Sequence, residues 1–236
     1  MIKRIKKLRE KSINTHPYIS IERAKLVTEA YKKHAGTVSS PVLRALTFEH
    51  LMENKTVSIG EGELIVGERG SFPQATPTFP ELCCHSLNDF DMINNREKIS
   101  FNVSNDAKEI QEKEIIPYWK DRSMRSRILE QMNQEWKDCY EAGLFTEFME
   151  QRAPGHTVAD GKIYQKGFLE FIEDIKKSLK NIDYLNDPSA YAKQEELKAM
   201  MICARAIIGF AHRHAEKARE MVLAEKDSLR KKELLK

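Results

Sequence analysis

The side chain best placed to do chemistry in this chain is an imidazole that follows a helix break. Residues 143–157 read G-L-F-T-E-F-M-E-Q-R-A-P-G-H-T. Pro154 withholds a backbone N–H and stops a helix expected over about 133–151. Gly155 frees the backbone to turn, and His156 follows with a ring that titrates near neutral pH. Such a group, aimed into a pocket, can give a proton to a substrate oxygen or take one from it. The plainer alternative is a structural loop histidine bonded to backbone. Phe145 and Phe148 read most simply as core residues of the same helix. Arg152 is a cation complementing the negative end of its macrodipole.

Other constellations are weaker. Among the seven histidines, His212 and His214 are two apart on an expected helix. They therefore point in nearly opposite directions and cannot share a metal. No H-E-x-x-H occurs, so no metal site is expected. His34 and His50 read as surface or boundary groups. Glu147 and Glu150 can share a helix face, as can many exposed glutamates, and no glycosidase-like carboxylate pair follows from them. Gly60-x-Gly62 and Gly67-x-x-Gly70 lack the lysine of a phosphate-binding P-loop and the strand–loop–helix order of a dinucleotide fingerprint. They read as turn glycines.

The elements that must hold these groups are mostly helical. Ile2, Ile5 and Leu8 mark one side of a helix over 2–14, which Pro17 stops. Ser20 is expected to cap a second helix carrying Ile21, Ala24, Val27 and Tyr31 and ending near Gly36. Ser40-Pro41 is an N-cap followed by proline at the first helical position. Residues 56–70 hold two short apolar runs around glycines, which predict a strand pair or a strand and tight loop. Pro73, Pro77 and Pro80 predict an extended surface loop over 71–82. Helices resume near 105–117, 121–131 and 133–151, and a loop runs to about Lys162. From Leu197 to Leu229 apolar residues recur at spacings of four and three, predicting one long helix with a narrow, alanine-rich seam. That seam suits an intramolecular helix partner better than a coiled-coil dimer. It runs off the end without a glycine or proline terminator, as if cut inside a helix.

Composition narrows the setting. The 236 residues carry a formal net charge of +3, from 39 Lys+Arg against 36 Asp+Glu. That near balance argues against a dedicated nucleic-acid binder. No apolar run reaches membrane-span length, and M-I-K-R-I-K-K-L-R-E lacks the apolar core of a secretory signal. Cys83, Cys84, Cys139 and Cys203 include no C-x-x-C pair. This fits buried thiols in a reducing, cytoplasmic compartment.

Five stretches carry a family resemblance: I-S-I-E-R-A (19–24), P-V-L-R-A-L (41–46), G-E-L-I-V-G-E (62–68), E-A-G-L-F-T-E-F-M-E-Q-R-A-P-G-H-T (141–157) and Q-K-G-F-L (165–169). With them the whole chain resembles the N-terminal region of the glycyl radical enzymes of the pyruvate formate-lyase superfamily, and most closely their hydroxyproline-dehydrating branch. The resemblance implies a mainly α-helical unit with a small β element, forming over residues 1–236 the helical N-terminal portion of a large α/β barrel. It implies a parent lyase that dehydrates trans-4-hydroxy-L-proline to a pyrroline carboxylate. The alternatives are a glycerol or propanediol dehydratase, a C–N or C–S lyase, or, outside this class, a helical interaction protein using the alanine seam.

The same resemblance makes His156 a catalytic and substrate-contacting residue. It makes Phe148 an aromatic packed on the substrate and Arg152 a residue near the pocket. The parent would use a protein glycyl radical installed by a separate S-adenosylmethionine iron–sulfur activase. Its partners would be that activase, the small-molecule substrate and the remainder of the enzyme, in a homodimer. The family's active-site cysteine with its nearby glutamate and its R-V-x-G glycine motif are not found in residues 1–236. The four cysteines here lie outside the radical-cysteine context. The chain by itself is therefore expected to be an inactive fragment without a cofactor of its own.

Overall fold

The computed structural model describes residues 3–145 and 160–236. Helices dominate them. The only paired strands among the described residues are β1 (Tyr18–Ser20) and β2 (Ala75–Pro77), which run parallel with Tyr18 opposite Ala75. Ahead of β1 lies α1 (Lys3–Asn14), which buries no side chain. After it come α2 (Glu22–His34) and α3 (Ser40–Asn54), whose Ala24, Val27 and Leu51 close on Ile115 and Trp119 to form the first core cluster. A second cluster joins Ile19 of β1 to Phe90 of α4 (Leu87–Asn95) and Ala107 of α5 (Asn105–Ile110). The third lies between α9 (Phe168–Lys180) and α10 (Ala190–Ala224), where Ile172 and Ile175 meet Met201 and Ala204.

A single π-turn, Gln111–Ile115, joins α5 to α6 (Ile116–Trp119). Pro117 cannot donate to the helix ladder, and a widened turn lets the chain continue past it. This brings Trp119 into the core, where its indole N–H donates to Thr28 Oγ1 at 2.8 Å and the Thr28 hydroxyl donates to the Ala24 carbonyl at 2.6 Å. The indole N–H and the Thr28 hydroxyl of this relay are thus both paired, as burial requires.

The small β element lies elsewhere than the sequence predicts. Residues 56–70 form turns rather than strands, and Ile65 is 94% exposed. Alternation of apolar residues supplies a strand face, but a strand also needs a ladder partner, and none lies beside this segment among the described residues. The ladder forms within 71–82 instead. That segment is extended but not superficial, since Ala75, Thr78 and Pro80 are buried. β1 pairs with Ala75–Pro77, and Arg23 donates to the Thr78 carbonyl. Gly70 serves close approach: a Cβ there would stand 2.5 Å from the Ala75 Cβ and 3.3 Å from that of Ser20.

Three caps also differ from expectation. Ser20 belongs to β1, and α2 starts at Glu22 with no side-chain cap bond. The α3 cap is Ser39 rather than Ser40, and the Ser39 hydroxyl donates to Glu195 Oε2 of α10 at 2.7 Å. The long C-terminal helix ends at Ala224. Asp227 caps a new helix, α11 (Ser228–Leu234), accepting from Leu229 N at 2.8 Å. Arg230 of α11 then donates to the carbonyls of Glu63 and Gly60, and Glu233 pairs with Arg4. These contacts fold the tail back onto the glycine turns, and Leu229 stays exposed. The first half of α10 does pair within the chain, lying on α3 and α9, as the seam predicts.

Arg23 is a densely connected polar group. Its guanidinium forks onto both carboxylate oxygens of Glu81, donates to the Thr78 carbonyl at 3.1 Å and lies 3.9 Å from the centre of the Phe79 ring. Both side chains of the pair are mostly buried. Exposed pairs contribute under about 1 kcal/mol, and breaking a fully buried pair costs about 3–5 kcal/mol. Arg23→Leu is expected to cost about 2 kcal/mol in denaturant unfolding, since it leaves Glu81 without its cation. Arg23→Leu with Glu81→Leu should recover most of that loss.

Cys84 packs against the first cluster, and burial, reinforced by the charge of Asp89, pushes its thiol up to about 11. Only the thiolate alkylates, so labelling of folded Cys84 at pH 8 should be on the order of a hundredfold slower than in denaturant. The rate should climb tenfold per pH unit until the pH nears that value.

Candidate functional site

The sequence-derived site residues Phe148, Arg152 and His156 lie outside the described residues, as do Glu147 and Glu150. The structure describes the two anchors from which the stretch holding them departs and to which it returns. On the N-terminal side, α7 (Met124–Gln131) is capped by Ser123, whose hydroxyl oxygen accepts from Ser126 N. Its first two residues donate backwards: Met124 N to the Glu81 carbonyl at 2.9 Å and Arg125 N to that of Leu82 at 3.0 Å. The turn that Arg23 clamps therefore also seats α7.

Asn133 then caps α8 (Gln134–Glu141), its side-chain oxygen accepting from Trp136 N at 2.9 Å. This helix stops at Glu141, ten residues short of the expected 151, and Gly143 rather than Pro154 ends it. Gly143 sits at φ +73°, its N–H donates to the Tyr140 carbonyl, and Leu144 N donates to that of Cys139 at 3.0 Å. This is the paired bonding of a Schellman stop, which requires a left-handed residue that glycine adopts without a Cβ clash.

Phe145 is consequently not a helical core residue. It folds back on α8, its ring centre 4.9 Å from Trp136 and 6.3 Å from Tyr140. Trp136 and Tyr140, one turn apart, stack at 5.6 Å with planes 8° apart. Arg125 of α7 donates to the Tyr140 hydroxyl at 2.7 Å. Sequence reasoning missed this assembly. Its signal was the aromatic pair at spacing four, with an asparagine three residues before Trp136 and a glycine three residues after Tyr140.

On the far side, residues Asp160–Tyr164 form a 3₁₀ turn. The Gly167 N–H donates to Glu170 Oε2 at 2.9 Å and opens α9, while Lys166 pairs with Asp174. That hydrogen bond from Lys166 holds the Asp174 carboxyl below the usual carboxylate range and raises the lysine. Since α9 lies on α10 through the third core cluster, this end of the stretch is fixed as well.

Elsewhere, a half-open cavity of about 280 Å³ is lined mainly by apolar groups, among them Ile19, Phe79, Phe90 and Phe101, with Cys83 and His85 on its wall. Among the described residues no group of three His, Cys, Asp or Glu side chains converges to hold a metal, and no helix is long and apolar enough to cross a membrane.

The comparisons with known proteins agree with one another. The pyruvate formate lyase-like family matches residues 1–236. The trans-4-hydroxy-L-proline dehydratase of Clostridioides difficile is 55% identical over 232 residues, covering 98% of this chain and 29% of that protein. The crystal structure of hydroxyproline dehydratase from the same organism, with substrate bound, superposes on all of this chain and 30% of its own length with a TM-score of 0.93 at 54% identity. The glycerol-bound B12-independent glycerol dehydratase of Clostridium butyricum matches 99% of this chain and 30% of its own, with a TM-score of 0.90 at 30% identity. The chain thus spans about three tenths of the length of these relatives, in the N-terminal portion of the glycyl radical enzyme structures. By the match of the family over every residue and the agreement of fold with these dehydratases, the chain belongs to the pyruvate formate lyase-like family of glycyl radical enzymes.

Proposed function

We propose that residues 1–236 are the N-terminal part of a pyruvate formate-lyase-type domain in a glycyl radical lyase that dehydrates trans-4-hydroxy-L-proline to a pyrroline carboxylate. The observation that carries this is the 55% identity to the Clostridioides difficile dehydratase across 98% of the chain. Identity to the glycerol dehydratase is 30%, which ranks a glycerol, propanediol or other lyase substrate second. Barrel core and glycyl radical domain belong to the seven tenths of the relatives' length that this chain does not span. Exposed Ile65, Leu185 and Leu223 are apolar surface suited to packing on them. The S-adenosylmethionine iron–sulfur activase, the homodimer and the cytoplasmic setting are parts of the same reading.

A stored protein radical supplies hydrogen-atom abstraction in such a lyase. The work assigned to this chain is binding and proton transfer. Hydroxide is a poor leaving group, so the C–O bond breaks readily only if its oxygen is hydrogen-bonded or protonated as it departs. The family resemblance assigns His156 to that role, or to the substrate carboxylate, Phe148 to packing against the pyrrolidine ring and Arg152 to the neighbourhood of the pocket. General-acid help of this kind contributes about two to four orders of magnitude in rate.

In the full-length activated enzyme, His156→Ala should lower turnover of hydroxyproline by about a hundredfold or more. The glycyl radical content measured by EPR should stay unchanged, because it depends on a different part of the enzyme. Turnover within about threefold of wild type, a loss under roughly 1 kcal/mol, would leave His156 as a structural loop residue. The 236 residues alone, incubated anaerobically with activase, S-adenosylmethionine and hydroxyproline, should yield neither pyrroline product nor a glycyl EPR doublet.

A further inference from the structure

We infer that the cleft between α2, the start of α3 and the α6–α7 turn is a binding site for a small multivalent phosphate anion, a di- or triphosphate, held by Arg44, Arg122 and Arg127. The cleft is half-open and encloses about 530 Å³. Arg44 lines it from α3, Arg122 from the turn after α6, and Arg127 from α7. All three side chains are exposed, and among the described residues none is paired with a carboxylate. The one acidic residue on the wall is Glu81, and Arg23 takes both of its oxygens. Glu81 is thereby neutralised, and the three arginine charges of the cleft stay unbalanced. Arg122 is already held in place: it donates to the Tyr118 carbonyl at 2.7 Å, and its guanidinium lies 4.8 Å from the centre of the Tyr118 ring. The start of α3 adds to the same positive field. Ser39 makes no cap bond there, its hydroxyl donating to Glu195 instead, and Ser40 of that first turn lines the cleft.

The number and kind of the cations select the ligand. Like charges gathered in one cleft cost stability unless a counter-charge offsets them. Arginine presents a planar fork of N–H donors that meets carboxylate or phosphate oxygens two at a time. A lone carboxylate has two oxygens and one charge, and it satisfies one fork. Three forks around one cavity call for several oxygens and several charges on one small body. A di- or triphosphate has both, whereas an amino acid, with its single carboxylate and its own ammonium group, has neither. The size also fits, since sites for small ligands and cofactors enclose about 300–1,000 Å³. Arg44 stands in the stretch P-V-L-R-A-L, to which the proposed function gives no task. Every group named here lies among the described residues, and none has a part in the proposed dehydration.

The test uses the full-length enzyme as wild type, Arg44→Gln, Arg127→Gln, Arg127→Lys and, as a control on α10, Arg219→Gln. Binding of inorganic pyrophosphate is measured by titration calorimetry, with citrate as a carboxylate of comparable charge. Wild type should bind one pyrophosphate per chain, and citrate about tenfold more weakly or worse. Arg44→Gln and Arg127→Gln should each weaken pyrophosphate by about tenfold or more, the loss expected of a charge-assisted contact. Arg127→Lys keeps the charge and loses the fork, so it should lie between, while Arg219→Gln should stay within about twofold of wild type. In parallel, labelling with phenylglyoxal, read by mass spectrometry, reports on each arginine separately. Arg44 and Arg127 should label readily in the ligand-free enzyme and be protected by pyrophosphate. Slow labelling of both without pyrophosphate would mean that acidic side chains elsewhere in the enzyme fill the cleft, and would overturn the inference. So would an absence of pyrophosphate binding, binding that neither glutamine variant weakens, or citrate bound as tightly as pyrophosphate. If one glutamine variant does not fold, the other and the protection pattern of wild type decide.

Discussion

The bidentate pair between Arg23 and Glu81 is the constraint on which the rest of the arrangement depends. Arg23 lies on α2, inside the first core cluster's helix pair, and its guanidinium reaches across to the end of β2. It satisfies the Thr78 carbonyl, covers Phe79 and turns the chain so that the carbonyls of residues 81 and 82 face the start of α7. A lysine could supply the charge at this point. It could not supply a planar fork that meets a carboxylate, a carbonyl and a ring face together. Position therefore passes from the packed helices to α7 through one side chain and two backbone hydrogen bonds.

The opposite side is organised by α10. This helix lies on α3 and α9 and is locked to the first by two sets of polar contacts: Ser39 to Glu195 near its start, and Arg213, about two thirds of the way along it, to the carbonyls of Met52 and Lys55. Arg213 thereby caps the last turn of α3, whose final carbonyls have no partners within the helix. The second half of α10 is mostly exposed and the chain leaves it at Glu225, so its alanine-rich seam is used only where α3 and α9 are present to fill it. Two helix layers thus hold the two described ends, Phe145 and Asp160, on either side of the stretch between them.

By itself the sequence determined the helical class, because apolar spacing of three and four states which face a helix buries whatever it packs against. It determined α1 and α3 closely, and it gave the seam that the first part of α10 packs on α3 and α9, although that helix begins seven residues before Leu197. It did not determine where the strands lie. Val57, Ile59, Leu64 and Val66 have the alternation of strands, but pairing is a property of two segments, and only the folded chain brought Tyr18–Ser20 beside Ala75–Pro77. Nor did it determine which of several competent stops ends a helix. Gly143 precedes Pro154, and its left-handed turn was chosen because it returns Phe145 to Trp136 and Tyr140. Asp227 restarted the C-terminal helix because the tail had the glycine turns at 60–63 to bind. Local periodicity is written residue by residue, whereas strand partners, cap choices and the Arg23 clamp join residues tens of positions apart. Those are settled only when tertiary packing decides which groups are near enough to share a hydrogen bond.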